Sequence, residues 1–330
     1  MRAPAVGIQH VTRPLTRFRK RPDAAIVLGT ILVFLVFGAV DPESWFQFFT
    51  MINITRYAAI LGLLAIGQTI VILSREIDLS VGSVYGIVAI AFIASEPTLG
   101  VPLSLLAALM LAAAIGLLNA LLVLRGGISS MIATLGALFF YRGIIYVTTG
   151  GTVMRFSQGA RAHWLTQAFG GQWLRLDNAF LWFMLIAVLA SLVLYHSRFG
   201  NHLLAVGGDE TTALARGVTV VRTKTIAFVA CSLLAGLSGI VTIAQNPQTH
   251  VTLGMQLELE SIAAAVIGGT QLGGGRGTVL GSVLGTFFLT AVRSEMITLG
   301  APPSWYTAFV GIALLLGATI NTVMARRSGA

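Results

Sequence analysis

The sequence is dominated by apolar runs that are each close to the length of one membrane crossing. A helix needs about 20 apolar residues to cross the hydrocarbon core of a bilayer, where every backbone polar group must be satisfied without water. The chain has 330 residues, of which 56% are hydrophobic and 10% are charged. Soluble domains carry roughly 25% charged residues. The sequence therefore predicts an all-α, polytopic membrane protein.

About ten runs are candidate spans, and two of them are short for a full crossing. They cover residues 24–40, 52–73, 81–94, 101–124, 129–148, 179–196, 223–245, 257–271, 278–298 and 305–325. No polar stretch between them is long enough to form a separate core. We therefore expect a single membrane domain over residues 24–330, with some helices short or broken.

The basic residues predict the orientation of the chain. The net charge is +9, and Arg and Lys cluster at residues 13–21, at 198–224 and at the C-terminal end. With ten spans, the positive-inside rule places all three clusters in the cytoplasm. We expect a basic cytoplasmic tail at residues 1–23, an external loop at 149–178, a cytoplasmic loop at 198–222 and both termini in the cytoplasm. The charge then indicates membrane lipid as a partner and no nucleic acid.

Signatures of enzymes are missing from the sequence. The five histidines and the single cysteine, Cys231, show no spacing typical of a metal site. No G-x-S-x-G nucleophile elbow is present. The glycine-rich run at residues 268–277 lacks the G-K-[ST] ending by which a phosphate loop binds ATP and magnesium. We therefore predict no catalytic residue, no metal site and no cofactor in this chain, and no ATP hydrolysis by the chain alone.

A charged break at residues 74–83 separates two apolar runs. Arg75, Glu76 and Asp78 would cost several kcal/mol at membrane depth unless they face a partner, a cavity or water. One interpretation makes Asp78 part of a gating or helix-positioning pair with a cation. The other, which we favour, has Asp78 or Ser80 accept amide hydrogen bonds at the head of the helix that begins at Val81.

The break also carries a family motif. Residues 77–83 read I-D-L-S-V-G-S, which resembles the hallmark of inner-membrane permeases of ribose-type ABC sugar importers. Residues 133–136 (A-T-L-G) with Arg142-Gly143, the glycine-containing stretch 200–218, and residues 263–279 are similar to further motifs of that family, in the same order. The commoner family sequence before I-D-L-S contains T-G-G, whereas this chain has Arg75-Glu76.

The resemblance implies a permease subunit that forms a translocation path for a monosaccharide or related polyol. Its expected partners are a second permease copy or a paralogue, a periplasmic sugar-binding protein, and a separate ABC ATPase that binds ATP and magnesium. The expected location is the bacterial inner membrane. The alternative is a stand-alone secondary transporter or channel for a small polar solute. It would need coupling-ion carboxylates at the midplane, where the chain offers little beyond Glu76 and Asp78.

Two sets of candidate functional residues follow. Coupling to the ATPase is expected at Gly200, Gly207, Gly208, Asp209, Ala213, Arg216 and Gly217. The translocation path, or the helices that line it, is expected to involve Gln68, Asp78, Ser80, Gly82, Arg142, Gly268 and Gly269.

Four other polar residues lie in or beside the predicted spans, and the sequence assigns no role to them. They are Asn119, Tyr141, Asn246 and Arg293. Arg142 is either a cavity-facing group that binds sugar hydroxyls or pairs with an acid, or a structural arginine, which is the interpretation we favour. Glu258 and Glu260 are interpreted as the acidic first turn of a helix.

Overall fold

The computed structural model describes residues 24–327. Within that range it contains fourteen helices and one hairpin of two-residue strands. In chain order they are α1 (Ala24–Val40), α2 (Pro42–Trp45), α3 (Phe48–Leu73), α4 (Val81–Leu124), α5 (Ser130–Thr149), α6 (Gln158–Ala162), α7 (Trp164–Gly170), β1 (Gln172–Trp173), β2 (Leu176–Asp177), α8 (Asn178–His196), α9 (Arg198–Gly208), α10 (Glu210–Ala215), α11 (Val220–Gln245), α12 (Leu257–Ile267), α13 (Val279–Thr298) and α14 (Pro303–Arg327). The basic tail predicted for residues 1–23 lies outside the described residues.

Seven helices are long and apolar enough to cross a membrane: α3, α4, α5, α8, α11, α13 and α14. Helix α1 is shorter, with 17 residues, and α12 has only 11. The prediction of a polytopic all-helical membrane protein is confirmed.

Helix α4 accounts for two of the predicted spans. Its 44 residues would extend about 66 Å, roughly twice the thickness of a bilayer core. The helix is kinked at Gly100, where the backbone leaves the helical region with φ 71° and ψ 165°. Pro97 and Pro102 flank this position, and proline disrupts helical hydrogen bonding. The kink divides α4 into two arms that match the predicted spans at 81–94 and 101–124.

The two long connections contain more helix than the sequence indicated. Residues 149–178, predicted as a loop, include α6, α7 and the hairpin. Residues 198–222, where one short helix was predicted, form α9 and α10. Helix α9 begins after Ser197, whose hydroxyl accepts a hydrogen bond from the amide of Gly200 at 3.1 Å. This N-cap explains why the helix starts there.

Hydrogen bonds and the lining of one cavity bring helix ends together on two faces of the bundle. One face carries the end of α3, helices α9 and α10, and the glycine-rich loop after α12; we call it the α9–α10 face. The other carries the start of α3, the end of α11 and residues 246–256; we call it the opposite face.

Close packing between α4 and α11 depends on small residues. A β-carbon on Gly239 of α11 would lie 2.3 Å from the carbonyl oxygen of Tyr85 on α4. A β-carbon on Gly116 of α4 would lie 2.7 Å from the Cα of Val229 on α11. Glycines at these positions let the two backbones approach closely, as is common between membrane helices. Helix α3 packs beside them and is buried over most of its length.

This packing predicts that Gly239→Ala destabilises the protein. The new methyl group would press on backbone atoms that cannot rotate away, and overpacking of this kind costs about 1–3 kcal/mol. Gly311→Ala in α14 is the matched control, because no atom lies within 4 Å of a β-carbon there. The thermal unfolding midpoint of the purified protein in detergent should fall for Gly239→Ala alone. Equal midpoints for the two variants would contradict the packing argument.

Candidate functional site

The break between α3 and α4 contacts helix α9 through an arginine. Arg75 has a left-handed backbone conformation, with φ 66°. Its guanidinium Nε lies 2.8 Å from the carbonyl oxygen of Gly207 and 2.9 Å from that of Gly273, and Nη2 donates to the carbonyl oxygen of Gly208. Arg75 therefore binds the C-terminal carbonyls of α9 and the glycine-rich loop together, beneath the end of α3.

Gly207 sits where these three segments meet. A β-carbon there would lie 1.7 Å from the carbonyl oxygen of Leu73 and 2.4 Å from the amide nitrogen of Gly275. That amide donates to the Leu73 carbonyl oxygen at 3.0 Å. Only glycine fits at this junction, whereas a β-carbon on the adjacent Gly208 would meet no atom within 4 Å. The two predicted coupling glycines therefore have different physical roles.

A second junction joins the break to α10 and α11. The ammonium of Lys224, on α11, donates to Glu76 Oε1 at 2.8 Å and to Glu210 Oε2 at 2.9 Å. The Glu76 side chain is 12% exposed and that of Glu210 is 43% exposed. The contact with Glu76 is therefore the more sheltered of the two. Lys224 connects the break, α10 and α11 through charge-assisted hydrogen bonds, which are stronger than neutral ones.

Helix α10 has a capped and charged beginning. Asp209 accepts hydrogen bonds from the Thr211 hydroxyl at 2.7 Å and from the Thr212 amide at 2.6 Å. These bonds, the Thr211 hydroxyl foremost, lower the pKa of Asp209 to about 2. The Asp209 carboxylate is therefore ionised throughout the physiological pH range, and it lies exposed on the surface of this face.

The remaining coupling candidates shape the same segment. Ala213 is buried in a small cluster with Val206 and Val220. Arg216 is the C-cap of α10, and Gly217 follows with φ 81°, a conformation that favours glycine. Gly200, at the start of α9, packs against the Leu194 carbonyl oxygen of α8. The structure thus brings the predicted coupling residues together on and around α9 and α10.

Asp78 and its neighbours form a buried polar cluster. Asp78 Oδ1 accepts hydrogen bonds from the amide and the hydroxyl of Ser80, at 2.8 and 2.6 Å. Gln68 donates to the Asp78 backbone carbonyl, and Asn119 donates to the Ser80 hydroxyl at 2.9 Å. Ser80 occupies the N-cap position of α4 but makes no side-chain capping bond. The carboxylate of Asp78 accepts the amide of Ser80 instead, so Asp78 organises the head of α4.

Arg142 and Gly82 support the segment that precedes α12. The guanidinium of Arg142 donates to the carbonyl oxygens of Leu253 at 2.8 Å and Val251 at 3.3 Å. A β-carbon on Gly82 would lie 2.4 Å from the carbonyl oxygen of Gly254. Arg142 therefore binds backbone carbonyls in the structure. This contact matches the structural interpretation of that residue.

Gly268 and Gly269 follow α12. A β-carbon on Gly268 would lie 2.3 Å from the carbonyl oxygen of Gly281, so Gly268 permits the close approach of α12 and α13. Gly269 adopts φ 92°, in the turn that leads to the α9–α10 face. Both glycines set the course of the backbone.

A cavity of about 740 Å³ opens at the opposite face. Its volume lies within the range of roughly 300–1,000 Å³ that is usual for small-ligand sites. Polar and aromatic side chains make up much of its wall: Asn53, Arg56, Tyr57, Tyr85, Thr242, Gln245, Asn246, His250, Thr252, Gln256, Glu260, Thr290, Arg293, Tyr306 and Thr307. None of the seven residues predicted for the translocation path lines this cavity.

Arg293 is the most constrained side chain of the cavity wall. Its guanidinium carbon lies 4.4 Å from the ring centre of Tyr57 and 5.2 Å from that of Tyr306, distances typical of cation–π contacts. Arg293 Nη1 is 3.6 Å from Glu260 Oε2, which also accepts a hydrogen bond from the Tyr306 hydroxyl at 3.2 Å. The cluster joins α3, α12, α13 and α14.

Sequence reasoning noted two members of this cluster without assigning them to a site. Glu260 was interpreted as part of a helix first turn, which it is, since α12 begins at Leu257. Arg293 was noted only as a polar residue in a span. The available signal was the cost of an unpaired arginine inside α13. That cost implies a partner for Arg293, but the sequence does not indicate which carboxylate provides it.

Comparisons with known proteins agree with the motifs. Residues 50–318 match the family described as "Branched-chain amino acid transport system / permease component". The Autoinducer 2 import system permease protein LsrC of Salmonella typhi is 35% identical over 300 residues, which cover 90% of this chain and 84% of that protein. The Ribose import permease protein RbsC of Escherichia coli (strain K12) is 32% identical over 301 residues, covering 89% of this chain and 92% of that protein.

No solved structure matches the chain significantly. The resemblance to ribose-type permeases, drawn from the motifs at residues 77–83 and beyond, is confirmed by these relatives. The family match covers most of the sequence and nearly all of the membrane helices described above. The chain therefore belongs to the family of transport-system permease components that this description names, and it is a membrane-spanning permease.

Proposed function

We propose that this chain is the permease subunit of an ATP-driven importer for a monosaccharide or related polyol. The observation that carries the proposal is the arrangement of the two faces. A cavity lined by amides, hydroxyls and tyrosines opens at one face. At the other, the break after α3 binds α9 through Arg75 and is joined to α10 through Lys224 of α11. This arrangement suits a protein that receives a polar solute at one face and is moved by a partner protein at the other.

The lining of the cavity supports a sugar-like solute. Side-chain amides and hydroxyls can both donate and accept hydrogen bonds, as the hydroxyl groups of a sugar require. The similar proteins are a ribose import permease and an autoinducer 2 import permease. We take the cavity as the external vestibule of the path, with Tyr57, Asn246 and Gln256 among the groups that meet the solute.

The predicted path residues have a supporting role in this proposal. Asp78, Ser80 and Gln68 hold the head of α4, and Arg142 holds the segment that leads into α12. Gly82, Gly268 and Gly269 let the surrounding backbones pack or turn. They would therefore act on transport by positioning the helices around the vestibule.

A separate ABC ATPase would bind ATP and magnesium and contact the α9–α10 face. The exposed Asp209 and Arg216 and the partly exposed Glu210 offer charges for that contact. A second permease copy or a paralogue would complete the path, and a periplasmic sugar-binding protein would deliver the solute to the vestibule. We infer for such a subunit a location in the bacterial inner membrane, with both termini in the cytoplasm.

Reconstitution tests the proposal directly. The permease would be placed in proteoliposomes with the ATPase and binding protein encoded beside it, and uptake of radiolabelled D-ribose and of a panel of other monosaccharides and polyols would be measured. We expect uptake of at least one of them to require ATP and the binding protein. Uptake that is driven by an ion gradient without the ATPase would favour a secondary transporter and overturn the proposal.

The junction at Gly207 gives a more specific prediction. Gly207→Ala places a methyl group against the Leu73 carbonyl and should separate α9 from the end of α3, whereas Gly208→Ala meets no neighbouring atom. Transport per ATP hydrolysed should fall at least about tenfold for Gly207→Ala, because a misplacement of about 1 Å can cost as much as a hundredfold in function. Gly208→Ala should retain near-normal coupling.

The assay needs both ATPase and uptake rates from the same proteoliposomes, with the amount of inserted permease measured in each. A similar loss for the two alanine variants would show that the packing at Gly207 is not what links α9 to the membrane helices.

A further inference from the structure

The wall of the vestibule carries more positive than negative charge. Among the residues that line it, Arg56 and Arg293 are cationic and Glu260 is the single carboxylate. Clefts lined by one sign of charge, with low-dielectric walls, focus the electrostatic field and attract the opposite charge. Two unpaired guanidinium groups would therefore make this cavity a trap for anions.

Each arginine, however, is paired with a carboxylate from another element. Arg293 lies 3.6 Å from Glu260. Arg56 makes a bidentate contact with Asp177, in which Nε lies 2.9 Å from Oδ2 and Nη2 lies 3.2 Å from Oδ1. Asp177 itself is 2% exposed, immediately precedes α8 and also accepts a hydrogen bond from Gln172. It lies behind the wall and does not line the cavity.

Apart from His250, the rest of the polar wall is formed by side chains without a formal charge. It consists largely of amides, hydroxyls and tyrosine rings from α3, α11, α13, α14 and residues 246–256. With both arginines compensated, the wall can bond hydroxyl groups while offering no net charge to an ionised solute. Desolvating an ion in such a cavity is costly, because no opposite charge is free to replace its hydration.

We propose that Asp177 and Glu260 are specificity-determining residues of this permease. Each neutralises one arginine of the vestibule, and together they exclude ionised solutes from the path. The inference rests on the proposed function, which makes the cavity the start of that path. Asp177 acts through Arg56 and is a positioning residue, whereas Glu260 belongs to the wall itself.

Thiol labelling can measure the charge of the vestibule without any transport. Asn246→Cys places a reactive thiol at an exposed position of the wall. The chain without this substitution serves as the blank, because its only cysteine, Cys231, is buried. Purified permease in lipid nanodiscs at low salt would react with an anionic sulfonatoethyl and a cationic trimethylammonioethyl methanethiosulfonate. The ratio of the two rates, relative to a free thiol, reports the local potential.

We expect a ratio near that of the free thiol for Asn246→Cys alone. Adding Asp177→Asn or Glu260→Gln should raise the anionic-to-cationic ratio about a hundredfold, because one uncompensated charge roughly 10 Å away at an effective dielectric constant near 20 changes the two rates about tenfold each, in opposite directions. Adding Arg56→Gln to Asp177→Asn, or Arg293→Gln to Glu260→Gln, should restore the original ratio. A loss of structure would not be reversed in this way.

Glu96→Gln is the charge-matched control. Glu96 also lies on the opposite face, where it accepts a hydrogen bond from Ser157 at 3.1 Å, but it does not line the vestibule. An unchanged ratio in Asp177→Asn, or an equal rise in Glu96→Gln, would overturn the inference. If Glu260→Gln prevents folding, Asp177→Asn alone and combined with Arg56→Gln still tests whether a carboxylate neutralises an arginine of the vestibule. Failure of ATP-driven uptake with an intact labelling response would count against the proposed function alone.

Discussion

Hydrogen bonding of the interrupted backbone between α3 and α4 is the constraint on which the rest of the structure depends. Backbone that leaves a helix at membrane depth must find partners in the protein, because lipid offers none. The amides of Ile77 and Leu79 donate to the hydroxyls of Ser130 and Thr134 on α5. The carbonyl of Asp78 accepts from Gln68 on α3. The break is thereby held by two helices at once and cannot shift without moving both.

The two faces of the bundle are held together by different kinds of interaction. At the α9–α10 face, contacts are short and backbone-directed: Arg75 binds carbonyls, and Gly207 lies directly against Leu73. Such contacts resist compression and transmit displacement, since packed interiors have little free volume. At the opposite face, paired charges and neutral polar groups surround open space. Tight packing at one face and a polar cavity at the other suit a protein in which movement of α9 and α10 changes the access of a solute to the cavity.

The sequence predicted the helical membrane fold because long apolar runs leave few alternatives in a bilayer. It also predicted the grouping of residues 200–217, because those residues are close along the chain. It did not predict the vestibule, whose wall draws on α3, α11, α12, α13 and α14. More than two hundred positions separate Tyr57 from Glu260 and Arg293 in the sequence. No local pattern shows that these residues meet. Arg75 and Glu76, which depart from the commoner family motif, are the residues of the break that bind α9 and α11.

The segment that lines the vestibule leads directly into the short helix α12. Eleven residues extend about 16 Å, roughly half of a bilayer core. The preceding segment, residues 246–256, therefore occupies space that a full-length helix would fill, and it lines the cavity. Insertions or deletions where this segment joins α12 would therefore reshape the cavity without replacing any side chain of its wall.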